Sequence, residues 1–282
     1  MSLTDIIEEK YVKANGIKFH VVTAGEGAPL MCLHGFPDFW YGWKNIILGL
    51  YKEFNLIVPD LRGYNLSDKP EGVNNYKLDI LLQDIRGLAQ SLNLGKFNLV
   101  GHDWGGAISW AFAFQYPDVL NKLMIINAPH PQIFSKQIRG NKKQRRSSGY
   151  IFEMLKPGGE QAFIRNDYQL LQFAVFGNVG KKNAFSEEDK KKYQQAWSQP
   201  GAILGGVNYY RANTDMADSA GLIKVPTLVI HGMKDKYVRA GVLEGLEQVV
   251  EDLQIVKVED ASHWVMHDAP QKVINSIKKF MK

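Results

Sequence analysis

The chain has 282 residues, 45% of them apolar, and its 34 lysines and arginines against 29 aspartates and glutamates give a formal charge of +5. That length exceeds a usual single domain but suits an α/β core with an inserted subdomain, and the apolar share is enough for a sizeable core. The lysines are spread over termini, surface helices and one central segment, which favours solubility over any one charged partner and argues against a nucleic-acid-binding protein.

The first residues, Met1-Ser2-Leu3-Thr4-Asp5, have neither a basic n-region nor an apolar h-region, and no stretch reaches the roughly 18 apolar residues of a membrane span. A cytoplasmic protein with no membrane partner is the simplest expectation. Alternating segments at residues 10–13 and 18–22 flank Asn15-Gly16, a dipeptide that signals a hairpin turn. Compact apolar runs follow at residues 30–33, 56–58, 97–100, 123–126, 227–230 and 255–258, each expected as a strand buried on both faces. The single cysteine, Cys32, lies in the first of these runs, which rules out an intrachain disulfide and predicts a buried thiol. Between strands, Leu78, Leu81, Leu82, Ile85, Leu88, Ala89 and Leu92 recur at helical spacing, as do Ile274, Ile277 and Phe280 near the end. Strands alternating with helices predict a mostly parallel sheet flanked by helices.

From residue 131 to 222 the pattern is helical, including residues 187–197, with no comparable strand. The basic run Lys142-Lys143-Gln144-Arg145-Arg146 within it has no adjoining aromatic platform and no nucleic-acid motif. We read residues 131–222 as a helical cap inserted into a core made of residues 1–130 and 223–282. No Cys/His spacing indicates zinc. No self-association motif separates a monomer from a homodimer.

The chemistry concentrates at Gly101-His102-Asp103-Trp104-Gly105-Gly106, between the run 97–100 and a helical stretch from residue 105 to 116. Asp103 thus falls on a tight, strained strand-to-helix turn whose neighbours must be small. A carboxylate at that position attacks without first losing a proton, and it suits a saturated, strained or halogenated carbon. An orienting acid and a base are expected later in the chain. Asp235 follows the strand ending at Ile230-His231-Gly232, and His263 lies in the loop after the last strand; both sit past carboxyl ends of strands, where open sheets place ligands. His267 competes with His263 but lies further from the strand end, and is assigned a surface or supporting position. His102 is expected to pack inward. Asp260 is too near His263 in sequence to reach its ring easily, and Asn127 lacks the charge to stabilise an imidazolium. His34-Gly35-Phe36-Pro37 follows the first buried strand, where the N–H groups of Phe36 and Trp104 would converge on the Asp103 carboxyl as an oxyanion hole.

On these residues the chain resembles the α/β-hydrolase superfamily over nearly its full length and, within it, the soluble epoxide hydrolases. The matching segments are His34-Gly35-Phe36-Pro37-Asp38 with Trp40 and Trp43, Pro59-Asp60-Leu61-Arg62-Gly63-Tyr64 with Ser67-Asp68-Lys69-Pro70, the Asp103 turn, Asp235, and Ser262-His263-Trp264. The resemblance implies an α/β-hydrolase fold and an enzyme that needs no cofactor, taking an epoxide and water as its small-molecule partners. It also implies two cap tyrosines that hydrogen-bond the epoxide oxygen, matched here by Tyr150 and Tyr210, with Tyr168, Tyr193 and Tyr209 as substitutes. Trp104, Phe39 and Trp40 are expected to line the substrate site, and Phe134, Phe152, Phe173 and Trp197 are further aromatic candidates. The alternatives are a haloalkane dehalogenase, with Trp104 and a cap tryptophan such as Trp197 as halide donors, and a non-catalytic ligand-binding protein of the same fold.

Overall fold

A computed structural model of the chain describes residues 2–181 and 184–282. Among the described residues eight strands, β1 (Ile7–Ala14), β2 (Ile17–Ala24), β3 (Ala28–Leu33), β4 (Phe54–Pro59), β5 (Phe97–His102), β6 (Leu120–Ile126), β7 (Thr227–Gly232) and β8 (Leu253–Val258), form one sheet in the order β1-β2-β4-β3-β5-β6-β7-β8. The β1–β2 hairpin turns on Asn15 and Gly16, both with positive φ, the pair of left-handed residues that a two-residue hairpin turn requires. β2 also pairs antiparallel with β4, and every later pairing is parallel.

Helices connect the parallel strands. α1 (Lys44–Leu50), α2 (Leu78–Ser91) and α3 (Trp104–Gln115) lie in the first half. α2 turns Leu81, Leu82, Ile85 and Leu88 inward, as its spacing predicts. Between β6 and β7 the regular elements are all helices: α4 (Pro131–Gly140), α5 (Lys142–Ser147), α6 (Tyr150–Leu155), α7 (Glu160–Phe176), α8 (Glu187–Trp197) and α9 (Ala202–Ala212). α7 is broken at Asn166, Asp167 and Tyr168, all with positive φ. α10 (Val265–Asp268) and α11 (Pro270–Met281) close the chain.

β5 and β7 are wholly buried, β3 and β6 are buried along their apolar runs at residues 30–33 and 123–126, and Cys32 is buried in β3. β8 departs from expectation. As the last strand of the sheet it is covered on one side only, and of its six residues Val258 alone is buried. Among the described residues no helix is long and apolar enough to cross a membrane.

The chain order reverses between β3 and β5: β4 lies on one side of β3 and β5 on the other, so the loops leaving β3 and β5 diverge around a crevice at the carboxyl edge. α3 packs tightly on this pair. A Cβ on Gly105 would lie 2.1 Å from the carbonyl oxygen of Leu33 at the end of β3.

Two opposing effects meet at Gly105. Alanine gains about 1 kcal/mol over glycine in a helix interior, whereas overpacking against an immovable strand backbone costs about 1–3 kcal/mol or more. The backbone contact wins, so Gly105→Ala should lower unfolding free energy by about 2 kcal/mol in urea denaturation. Unchanged or raised stability would mean that α3 can shift away from β3.

Candidate active site

Asp103 occupies the single residue between β5 and α3 with φ 53° and ψ −122°. Such a conformation is costly for a non-glycine residue and persists only where its surroundings over-determine it. The loop after β3 presses directly on its side chain: a Cβ on Gly35 would lie 2.2 Å from Asp103 Oδ1. Freed of that atom, the loop brings the Phe36 N–H to Asp103 Oδ1 at 2.8 Å. The Phe36–Pro37 peptide is cis. The Asp103 side chain takes no capping bond from α3, so of the two expected amide donors Phe36 engages the resting carboxylate. His34 holds the loop: its Nε2 accepts the Leu61 N–H at 3.0 Å, which leaves Nδ1 to donate to the Gly35 carbonyl at 3.0 Å.

His263 stands opposite, with Nε2 3.5 Å from Asp103 Oδ2 and Nδ1 2.7 Å from Asp235 Oδ2. Asp235 is buried yet fully satisfied. Its Oδ1 accepts the N–H groups of Tyr237 at 2.7 Å and Val238 at 2.9 Å, and its Oδ2 accepts from Asn127 Nδ2 at 2.7 Å as well as from His263. Burial alone would protonate such a carboxyl, but the imidazole and these donors hold it below the ordinary aspartate range. Burial likewise opposes a charged His263, and the neighbouring Asp235 and Asp103 charges outweigh it, raising its pKa to about 10. Asp103 is lowered in turn, since His263 offsets the burial of its carboxyl. The two carboxylates thus favour the protonated form of the imidazole between them.

The competitors fall away on geometry. Asp260 is on the surface, paired with Lys234 at 2.7 Å. Asn127 closes β6 and orients Asp235 from behind, its own Oδ1 accepting the Gly232 N–H at 3.1 Å. His102 packs inward as expected, its Nε2 3.0 Å from the His263 carbonyl oxygen, and burial drops its pKa to about 4. His267 is not on the surface: it is buried with its ring 4.2 Å from that of Phe185, and burial drops its pKa to about 3.

A cavity of about 480 Å³ opens above Asp103 and Trp104 and is walled by Tyr150 and Tyr210. The two tyrosine rings stand edge to face at 6.1 Å, and burial raises both phenols above the ordinary value, so both keep their protons as donors. The substitutes are otherwise engaged. The Tyr193 hydroxyl donates to Asp38 at 2.8 Å, the Tyr209 hydroxyl to the Arg62 carbonyl at 2.8 Å, and the Tyr168 ring packs on Trp197 at 6.0 Å.

Four aromatic expectations are corrected. Phe39 and Trp40 do not line this cavity; both are buried, Phe39 against Tyr41 and Tyr193, Trp40 against Phe39 and Tyr41. The loop after β3 turns into a short helical turn at Trp40–Trp43, carrying these side chains away from Asp103 and under α8. Phe173 is exposed and stands outside the cavity, whereas Phe134 and Phe152 line it. Trp197 faces the other way, and its Nε1–H donates to the Pro37 carbonyl at 2.7 Å.

The sequence reading missed several supporting residues. Tyr237, two positions after Asp235, brings its ring to 5.4 Å from that of His263 while its hydroxyl accepts from Asn178 at 2.9 Å. Asp268 accepts both the N–H and the hydroxyl of Ser262, at 2.7 and 2.6 Å, fixing the turn that carries His263. Asp38, named only as part of a matching segment, is buried beside the site with Oδ2 unpartnered among the described residues, and burial raises its carboxyl to about 7. The acidic residue after His-Gly-Phe-Pro was the available signal for Asp38; Asn178 had none. No group of three or more potential metal ligands occurs among the described residues.

Residues 28–270 match the family model of the alpha/beta hydrolase fold. The chain is 38% identical over 284 residues to the AB hydrolase superfamily protein YfhM of Bacillus subtilis, covering 99% of each. It is 30% identical to the soluble epoxide hydrolase of a Corynebacterium species, covering 94% of each. In three dimensions it is similar to a Bacillus megaterium epoxide hydrolase solved with an inhibitor, with a TM-score of 0.92, 32% identity, and 96% and 99% of the two chains covered.

The charge on Asp103 is one of the causes that keep His263 protonated. Replacing it with a neutral isostere removes a favourable anion, so the imidazolium becomes easier to deprotonate. Asp103→Asn should therefore move the His263 titration downward, read by NMR of the nitrogen-labelled imidazole. An unmoved titration would assign the whole effect to Asp235.

Proposed function

The chain belongs to the α/β-hydrolase fold family, and from that premise we propose that it is an epoxide hydrolase, converting an epoxide to a vicinal diol through a covalent ester on Asp103. The observation that carries this reading is the pairing, across one cavity, of a carboxylate with two protonated phenols. An opening epoxide needs both at once. Its carbon takes the nucleophile while its oxygen becomes an alkoxide far more basic than a phenolate, so a phenol with an ordinary pKa near ~10 donates readily as the C–O bond breaks.

In the first step an Asp103 carboxylate oxygen attacks an epoxide carbon, and the ring oxygen takes a hydrogen bond and then a proton from Tyr150 or Tyr210. The product is a hydroxyalkyl ester at Asp103. Esterification abolishes the Asp103 charge, and with it one of the forces that hold His263 protonated. The His263 imidazolium then gives its Nε2 proton, through water, to the phenolate left by ring opening, and the neutral imidazole becomes a base still oriented by Asp235 through Nδ1. Nε2 removes a proton from water, the hydroxide adds to the ester carbonyl, and the oxyanion is stabilised by the Phe36 and Trp104 N–H groups. Collapse releases the diol and returns the carboxylate. Formation of the ester thus switches on the base that removes it.

The dehalogenase alternative needs a cap N–H donor for a departing halide. Trp104 lines the cavity, but the Trp197 N–H is already given to the Pro37 carbonyl. A halide also needs no proton, which would leave both tyrosines without a task.

His263→Gln should block the second step and leave the first, so that intact-protein mass rises by one substrate mass after addition of styrene oxide. No rise, in a folded variant, removes the covalent scheme. Changing Tyr150 and Tyr210 together to Phe should slow single-turnover ester formation by at least about a hundredfold, the usual scale of acid catalysis, while an ester already formed hydrolyses at the normal rate. Equal slowing of both steps would argue for a general disturbance of the cavity instead.

A further inference from the structure

The His263 ring meets Asp235 through Nδ1, so its Nε2 is only as well placed as the backbone turn that carries it. That turn hangs on Asp268, the last residue of α10. Asp268 Oδ2 accepts the Ser262 N–H and hydroxyl at 2.7 and 2.6 Å, and the Ser262 Oγ in turn accepts the Trp264 N–H at 3.1 Å. The other carboxylate oxygen faces the helical region. Asp268 Oδ1 accepts the N–H groups of Gly180 and Lys181, beyond the end of α7, at 2.8 and 2.9 Å. Two donors from the His263 turn and two from the helical region thus share one carboxylate, whose acceptor capacity is about four.

The same stretch of the helical region makes two more ties. The Trp264 indole N–H donates to the Ala174 carbonyl at 2.9 Å, so both neighbours of His263 are held. Asn178 donates to the Tyr237 hydroxyl at 2.9 Å and accepts from Lys236 Nζ at 3.0 Å, steadying the loop that carries Asp235. Among the described residues no hydrogen bond joins Asp268 or residues 174–181 to Asp103, Phe36, Tyr150 or Tyr210.

We propose that Asp268 is a positioning residue for the second half of the reaction, fastening the His263 turn to the helical region at Gly180 and Lys181. This rests on the epoxide hydrolase reading of the site. Ester formation uses Asp103 and the two phenols, whose supports lie elsewhere. Ester hydrolysis needs Nε2 at a fixed place beside the ester carbonyl, and moving a catalytic group by about 1 Å costs up to about a hundredfold in rate. Asparagine at position 268 keeps one acceptor atom and sets an NH2 group against the other pair of donors, so one of the two ties must break.

Styrene oxide mixed rapidly with the protein, quenched and read by intact-protein mass, gives both the appearance of the ester and its decay. With Asp268→Asn the ester should appear at the unmodified rate and decay about tenfold to a hundredfold more slowly, so that it accumulates. Lys181→Pro removes one N–H of the tie and leaves the carboxylate in place. It should slow decay by a smaller factor, and by less again when added to Asp268→Asn, because both break the same link. Circular dichroism checks that each variant is folded. Unchanged decay in folded Asp268→Asn, equal slowing of both steps, or a Lys181→Pro effect that is the same in both backgrounds overturns the inference and leaves epoxide hydrolysis standing. Absence of any ester in folded His263→Gln strikes the underlying scheme instead.

Discussion

The site depends on the contact between the loop after β3 and the turn after β5. β3 and β5 are hydrogen-bonded neighbours, so whatever leaves their carboxyl ends is forced together. Gly35 lets one loop lie against the Asp103 side chain without an intervening Cβ, and Gly105 lets α3 start against the end of β3. The strained backbone at Asp103 is held from both sides, and its carboxylate meets the Phe36 N–H and the His263 ring from fixed directions. The parallel core thus serves as a clamp whose jaws are two loops.

Charge within that clamp is arranged as a chain. Asp235 is anchored by two backbone amides and an asparagine, His263 by Asp235, and Asp103 by Phe36 and His263. Each buried ion is tolerable because the next one offsets it, since an unpaired buried charge would neutralise instead. Removal of any single charge therefore alters the protonation of its neighbour. In the proposed reaction, ester formation at Asp103 would be such a removal.

The strands were legible because their apolar runs are short, unbroken and followed by turn residues, as at 30–33 and 97–100; each is buried in the sheet. β8 was legible as a strand but not as an edge, because position in a sheet is set by partners and not by local sequence. Asp103, Asp235 and His263 could be singled out since each stands just beyond a strand end, and the fold brings all three together. Tyr150 and Tyr210 were reached through a resemblance, and the cavity holds both. Phe39 and Trp40 failed as pocket residues for a clear reason: they follow Phe36 closely in sequence, but the helical turn at Trp40–Trp43 redirects them. Asn178 could not be anticipated, because its place near the site comes from a contact with Tyr237, 59 residues away in the chain.

The helical region is tied to the loop after β3, and to the helical turn that follows it, at three points. Trp197 donates to the Pro37 carbonyl, Tyr193 to Asp38, and Asp189 of α8 takes both the Tyr41 hydroxyl and Lys44. Swinging α8 outward as a rigid lid would break these ties or drag the Phe36 amide off Asp103. The mouth of the cavity is instead framed by α4 to α6 and by residues 213–217, so α8 stands as a fixed post beside the route of access.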